Sequence, residues 1–114
     1  MKLLFENWRK YTNEQYYYYG DTQANIMDIV ENNRIKANEK GFIVSFKDAV
    51  PVQEIIQNVE EIIRENEIED IPAVIRFKVD IPPTRTARTQ VFWDVSGLNI
   101  KDIDVAQLES KEIL

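Results

Sequence analysis

Apolar residues recur along this chain with two different periods, and the switches between them mark out its elements. Near the start, Met1, Leu4, Phe5, Trp8 and Tyr11 fall at helical spacing with Glu6, Arg9 and Lys10 between them, which predicts an amphipathic helix over about residues 2–11. A helix this short is marginal alone in water, so its aromatic stripe needs a surface in its own domain, on a sister subunit or on another partner. Residues 1–13 therefore read as a helical extension of one domain spanning 1–114. Tyr16, Tyr17, Tyr18 and Tyr19 follow and stop at Gly20-Asp21. Aromatic residues favour strands and Gly-Asp favours a turn, so the run reads as a short strand, with Tyr16 and Tyr18 on one face and Tyr17 and Tyr19 on the other. One pair joins a core, and the other meets solvent, a helix or a partner.

Thr22 can cap a helix carrying Ala24, Ile26, Met27, Ile29 and Val30. Beyond Val30 the stripe fails. Either the helix runs on to Lys40 and stops at Gly41, or it ends early and "RIKANEKGFIVSF" forms a link or hairpin turning at "NEKG", with Ile35 and Ala37 on one face. We favour the early end. "FIVSF", residues 42–46, reads as a central strand. Val52, Ile55, Ile56, Val59, Ile62 and Ile63 then form the clearest helical stripe in the chain, with Pro51 suited to its first turn and Asp48 placed as a cap. β-branched residues are mediocre helix formers, so burial of that stripe must stabilise the helix.

Residues 73–81 alternate, with Ile75, Phe77, Val79 and Ile81 on one face and Arg76, Lys78 and Asp80 on the other. Residues 89–95 set Val91, Trp93 and Val95 against Gln90, Phe92 and Asp94. Joined by "PPTRTAR", the two strands read as an antiparallel hairpin with an extended basic tip. "SGLN" turns the chain, and Ile103, Ala106, Leu108 and Ile113 suggest a C-terminal helix over 102–113. The fold class expected is α+β: a small antiparallel or mixed sheet packed by one long amphipathic helix, with an N-terminal and a C-terminal helix. From Gly41 the order β-α-β-β-α resembles a split β-α-β plan, with the tyrosine strand at an edge.

Composition removes chemistries. The 114 residues include no cysteine and no histidine, so thiolate metal sites, disulfides, Cys or Ser dyads with histidine and the commonest general base are all absent. Three isolated glycines make no phosphate-cradling loop. The apolar runs are too short to span a membrane, and Glu6 and Arg9 interrupt any leader-like core, so a cytoplasmic protein without cofactor is expected. Glu65, Glu67, Glu69 and Asp70, and the pair Asp102 and Asp104, lack the glycine-bearing pattern of a calcium loop and read as solvated acids.

The net charge of −6 is uneven. Residues 51–70 hold seven acids and one arginine, whereas Arg76, Lys78, Arg85 and Arg88 outnumber the acids of 71–95. An acidic element beside a mildly basic one invites complementary contacts within or between subunits. Candidate interaction residues are thus Phe5, Trp8, the four tyrosines, Arg76, Lys78, Arg85 and Arg88. The tyrosines suit a protein interface. The arginines and neighbouring threonines of "PTRTART" suit an acidic partner surface, or phosphate in the alternative reading of a nucleic-acid-binding accessory protein that uses a basic 76–88 hairpin.

The opening "LLFENWRKYTNEQ" resembles the N-termini of small proteins encoded by environmental tailed phages, in which Leu-Phe-Glu-x-Trp-Arg-Lys-aromatic starts recur; the likeness covers residues 3–11. It implies an accessory or virion-associated protein acting in the host cytoplasm or the virion, and it carries over no catalytic residue. Taken together, the expectation is a non-enzymatic protein that works by protein–protein contact and self-associates.

Overall fold

The computed structural model describes residues 15–106. In chain order these form β1 (Tyr17–Thr22), α1 (Gln23–Asn32), β2 (Arg34–Lys36), β3 (Ile43–Lys47), α2 (Val52–Glu65), β4 (Pro72–Lys78), β5 (Arg85–Thr86), β6 (Gln90–Trp93), β7 (Gly97–Asn99) and β8 (Lys101–Val105). The fold is α+β. Six strands lie side by side in the order β5-β6-β3-β1-β4-β8, while β2 and β7 form a separate ladder. The helix expected over 2–11, with Phe5 and Trp8, lies outside the described residues.

β1 runs antiparallel to both β3 and β4, so those two are parallel to each other with β1 between them. α2 carries the chain from one to the other, which is the split β-α-β arrangement. The tyrosine strand is therefore central rather than an edge. Alternation along a strand reports which faces are covered and carries no information about lateral neighbours.

The same limit explains a second correction. β4 and β6 do not form a hairpin, because β1 and β3 stand between them. The long link crosses the sheet and contributes its own short strand, β5, paired to β6 through Arg85↔Phe92 and Thr86↔Val91. Ile81, expected to share a face with Ile75, Phe77 and Val79, lies beyond β4 and is 53% exposed; its carbonyl accepts a hydrogen bond from Trp93 Nε1 at 2.9 Å. "SGLN" is not a simple turn, since Gly97–Asn99 pair with Arg34–Lys36.

The third correction concerns the C-terminal helix. Residues 101–105 form strand β8 against β4, so a helix does not begin at 102; residues 107–114 lie outside the described ones. Asp102 and Asp104 alternate with Ile103 and Val105, and the two carboxylates reach Lys78 at 3.8 Å and Arg76 at 3.0 Å. Cross-strand charge pairing and β-branched residues favour this ladder over the imperfect helical stripe.

Each face of the sheet has its own cover. On one, α1 and the β2–β7 ladder close over Tyr17, Ile43, Ile75, Phe77, Val91 and Trp93, with Ile26, Ile35 and Leu98 fully buried above them. α1 starts at Thr22, whose Oγ1 accepts from Asn25 N at 3.4 Å, and it ends at Asn33 in the left-handed conformation with φ 54°. Chain reversal at Asn33 confirms the early helix end, and "NEKG" turns with Gly41 at φ 90°. On the other face α2 packs Ile55 and Ile56 with Val50 and Val74, flanked by Tyr18, Phe46 and Val52. Pro51 precedes α2 without a side-chain cap; the Asp48 carboxylate instead lies close enough to the Tyr18 phenol to help raise its pKa.

Candidate functional site

The α2-side face of the sheet is wider than its cover. α2 packs on β1 and β4. A helix is about 10 Å across and strands lie about 4.8 Å apart, so one helix covers two strands. The β3–β6–β5 half of this face therefore carries no helix from the described residues. Register places Val44 opposite Phe92, and Phe92 opposite Arg85, all on this side.

Phe42, Val44 and Phe92 are half-buried there. The Phe42 and Phe92 rings meet edge to face, 5.9 Å apart at 66°. Arg85 lies over them, its Cζ 4.7 Å from the Phe92 centroid and 5.5 Å from that of Phe42. Asp94 fixes the guanidinium from the other side, accepting from Nη2 at 2.9 Å and Nε at 3.2 Å. This bidentate pairing holds the arginine flat, cancels its charge and leaves a neutral aromatic surface.

Across the same face, toward β4, the pattern is cationic. Tyr16 packs beneath Arg76 and Lys78, at 4.2 Å and 4.7 Å from its ring centroid. Hydrogen bonding to Asp104 raises the pKa of Arg76 and holds it charged. Tyr18 pairs with Phe46 on one side and Arg76 on the other, under the first turn of α2. Burial, then the negative charge of Asp48, pushes its phenol above the ordinary range.

Tyr17 and Tyr19 belong to the opposite face. Tyr17 is packed edge to face on Trp93 at 5.2 Å, and burial raises its pKa. Tyr19 donates to Asp21 Oδ2 at 3.2 Å; burial first, and the Asp21 carboxylate second, push its phenol far upward. Past Tyr18↔Phe46 the register between β1 and β3 ends. A cleft of about 450 Å³ opens there, lined by Tyr19, Asp21, Asp28, Arg34, Lys36 and Phe42 among others, with charges of both signs.

The structure thus unites Tyr16, Tyr18, Arg76 and Lys78, sends Tyr17 and Tyr19 into the core, and puts Arg85 at the far side of the sheet. Arg88 stands on the exposed bend after β5. Arg76 and Arg85 are four strands apart, about 19 Å at ordinary spacing. The four cations do not converge, and three of them face carboxylates: Arg76 with Asp104, Lys78 with Asp102 and Arg85 with Asp94. Among the described residues no three acids gather to hold a metal, and no helix is long and apolar enough to cross a membrane.

Sequence reasoning missed Phe42 and Phe92. The available signal was Phe92 itself, a large aromatic in the polar phase of its strand between Gln90 and Asp94. No family model, curated protein or solved structure matches the chain.

Proposed function

We propose that this is a non-enzymatic protein that acts by protein–protein contact and associates with itself through the β3–β6–β5 half of the α2-side face. One observation carries the reading: Phe42 and Phe92 form a partly buried aromatic surface that no helix of the described residues covers, with Arg85 held across it by Asp94. Aromatic residues and arginine are enriched at protein interfaces, and sheet faces of this kind ordinarily bury themselves against another layer.

A second copy suits the patch electrostatically. Chains of net charge −6 repel one another over most of their surface, but here Arg85 and Asp94 cancel, Gln90 is neutral and Phe42, Val44 and Phe92 are apolar. The N-terminal resemblance to tailed-phage proteins supports a phage-encoded accessory or virion-associated setting. Light scattering on the full chain tests association: a dimer or higher oligomer is expected, with Phe92→Glu monomeric and its circular dichroism unchanged. A strictly monomeric native chain would overturn the reading. A salt-dependent shift of single-stranded DNA that disappears in Arg85→Ala with Arg88→Ala would favour nucleic-acid binding instead.

A further inference from the structure

We propose that the cavity beneath the crossover from β4 to β5 binds a small monocarboxylate with an apolar tail, its carboxylate held by Lys47 and Tyr17. The site lies on the opposite face of the sheet from the aromatic patch and is independent of self-association. Register builds it. Tyr17 at the start of β1 is directly opposite Lys47 at the end of β3, so the two side chains leave the same face side by side. Trp93 shares that face and packs edge to face on Tyr17. Residues 79–84 cross over it between β4 and β5, held down where Trp93 Nε1 donates to the Ile81 carbonyl at 2.9 Å. Between this arch and the sheet lies a cavity of about 450 Å³ lined by Tyr17, Lys47, Val79, Pro82, Pro83 and Val91 among others. That volume falls within the range of small-molecule sites.

Polar and apolar groups in the cavity divide as an amphipathic ligand requires. Tyr17 is only 6% exposed, yet its hydroxyl is accessible and has no hydrogen-bond partner among the described residues. A buried tyrosine ordinarily pairs its hydroxyl, and here that group meets the cavity instead. Burial raises the phenol's pKa, so it remains a donor at neutral pH. Lys47 is half-buried and has no carboxylate partner among the described residues. A carboxylate between the two would accept charge-assisted hydrogen bonds from both.

The walls select the rest of the ligand. Val79 and Val91 are buried apolar residues, and Pro82 and Pro83 restrict the backbone of the arch, which keeps the space open without ordering a loop. Asp80 also lines the cavity, but Lys101 Nζ stands 2.6 Å from its carboxylate and offsets its charge. Phosphate sites ordinarily recruit arginine forks or several cations, and no arginine is among the lining residues described. One ammonium beside one phenol fits a single negative charge.

Hexanoate is the probe, titrated into the full chain by calorimetry and followed by amide NMR. Saturable binding is expected, with the largest shifts at Lys47 and across residues 79–86, while hexan-1-ol and inorganic phosphate bind at least about tenfold more weakly. Lys47→Met and Tyr17→Phe should each weaken hexanoate about tenfold or more, as for loss of a hydrogen bond to a charged group. Thermal unfolding of both variants confirms that the fold persists. No saturable binding of hexanoate, equal binding by the native chain and both variants, or shifts centred away from the arch would overturn the proposal. Phe92→Glu should bind hexanoate like the native chain, so failure of self-association and failure of this site are read separately.

Discussion

At residue 20 a methyl group has no room. A Cβ there would lie 2.6 Å from Ile55 Cγ2 and 2.9 Å from Val59 Cγ2, because α2 rests directly on the strand backbone. The glycine expected to stop the strand at a turn lies inside β1, paired with Val74, and is the seat of the helix rather than the start of a turn. Gly20→Ala should cost about 1–3 kcal/mol through overpacking. Urea unfolding measures this; an unchanged midpoint would mean that α2 moves aside freely. The tyrosines themselves were half legible. Alternation separated Tyr16 and Tyr18 from Tyr17 and Tyr19, but it was blind to the two cations over Tyr16 and to Asp21 beneath Tyr19. Ser45 was equally silent: its Oγ is buried without a hydrogen-bond partner among the described residues.

At the scale of elements, α2 was legible because a strong stripe of period 3.6 is a local signal, although its last apolar residues find little cover and Ile62 stays 49% exposed. β4 and β6 were legible for the same reason at period two, and β3 as a compact apolar run. The β2–β7 ladder was not, since it joins three-residue strands more than sixty positions apart and is too short to show a pattern. Its role is nevertheless structural: Ile35 and Leu98 are paired across it and wholly buried over the sheet. Leu98→Ala should therefore destabilise the protein by about 2–5 kcal/mol, the range for emptying a core leucine site. Chemical denaturation checks it, and a loss below about 1 kcal/mol would show that this ladder is peripheral to the core. β8 was misread as helix because Ile103 fits a helical stripe with Ala106 as well as a strand face with Val105, and only the neighbouring β4, with Arg76 and Lys78 facing Asp104 and Asp102, selects the strand.

For the molecule as a whole, three neighbouring phenols on one central strand link stability to alkaline pH. Tyr17, Tyr18 and Tyr19 all have pKa values raised above the ordinary 10.0. Below pH 10 each is protonated in both folded and unfolded chains and stability is unaffected by them. Above it the unfolded chain releases protons that the folded chain retains, so stability falls as pH rises. Thermal unfolding followed from neutral pH upward should show a plateau and then a decline beginning near pH 10, with Tyr19→Phe declining less steeply. A flat profile through that range would contradict the burial of these phenols.

Periodicity by itself determined the α+β class, the extent of α2, the faces of β4 and β6, and the division of the tyrosines into two pairs. Those properties are local, since each depends on which residues a few positions apart share a face. Tertiary structure alone decided that β1 is central, that β4 and β6 lie apart, and that the basic residues scatter while Phe42, Phe92 and Arg85 gather. Strand order and register are fixed by contacts between distant segments, where burial and charge pairing summed over the whole sheet outweigh any local preference.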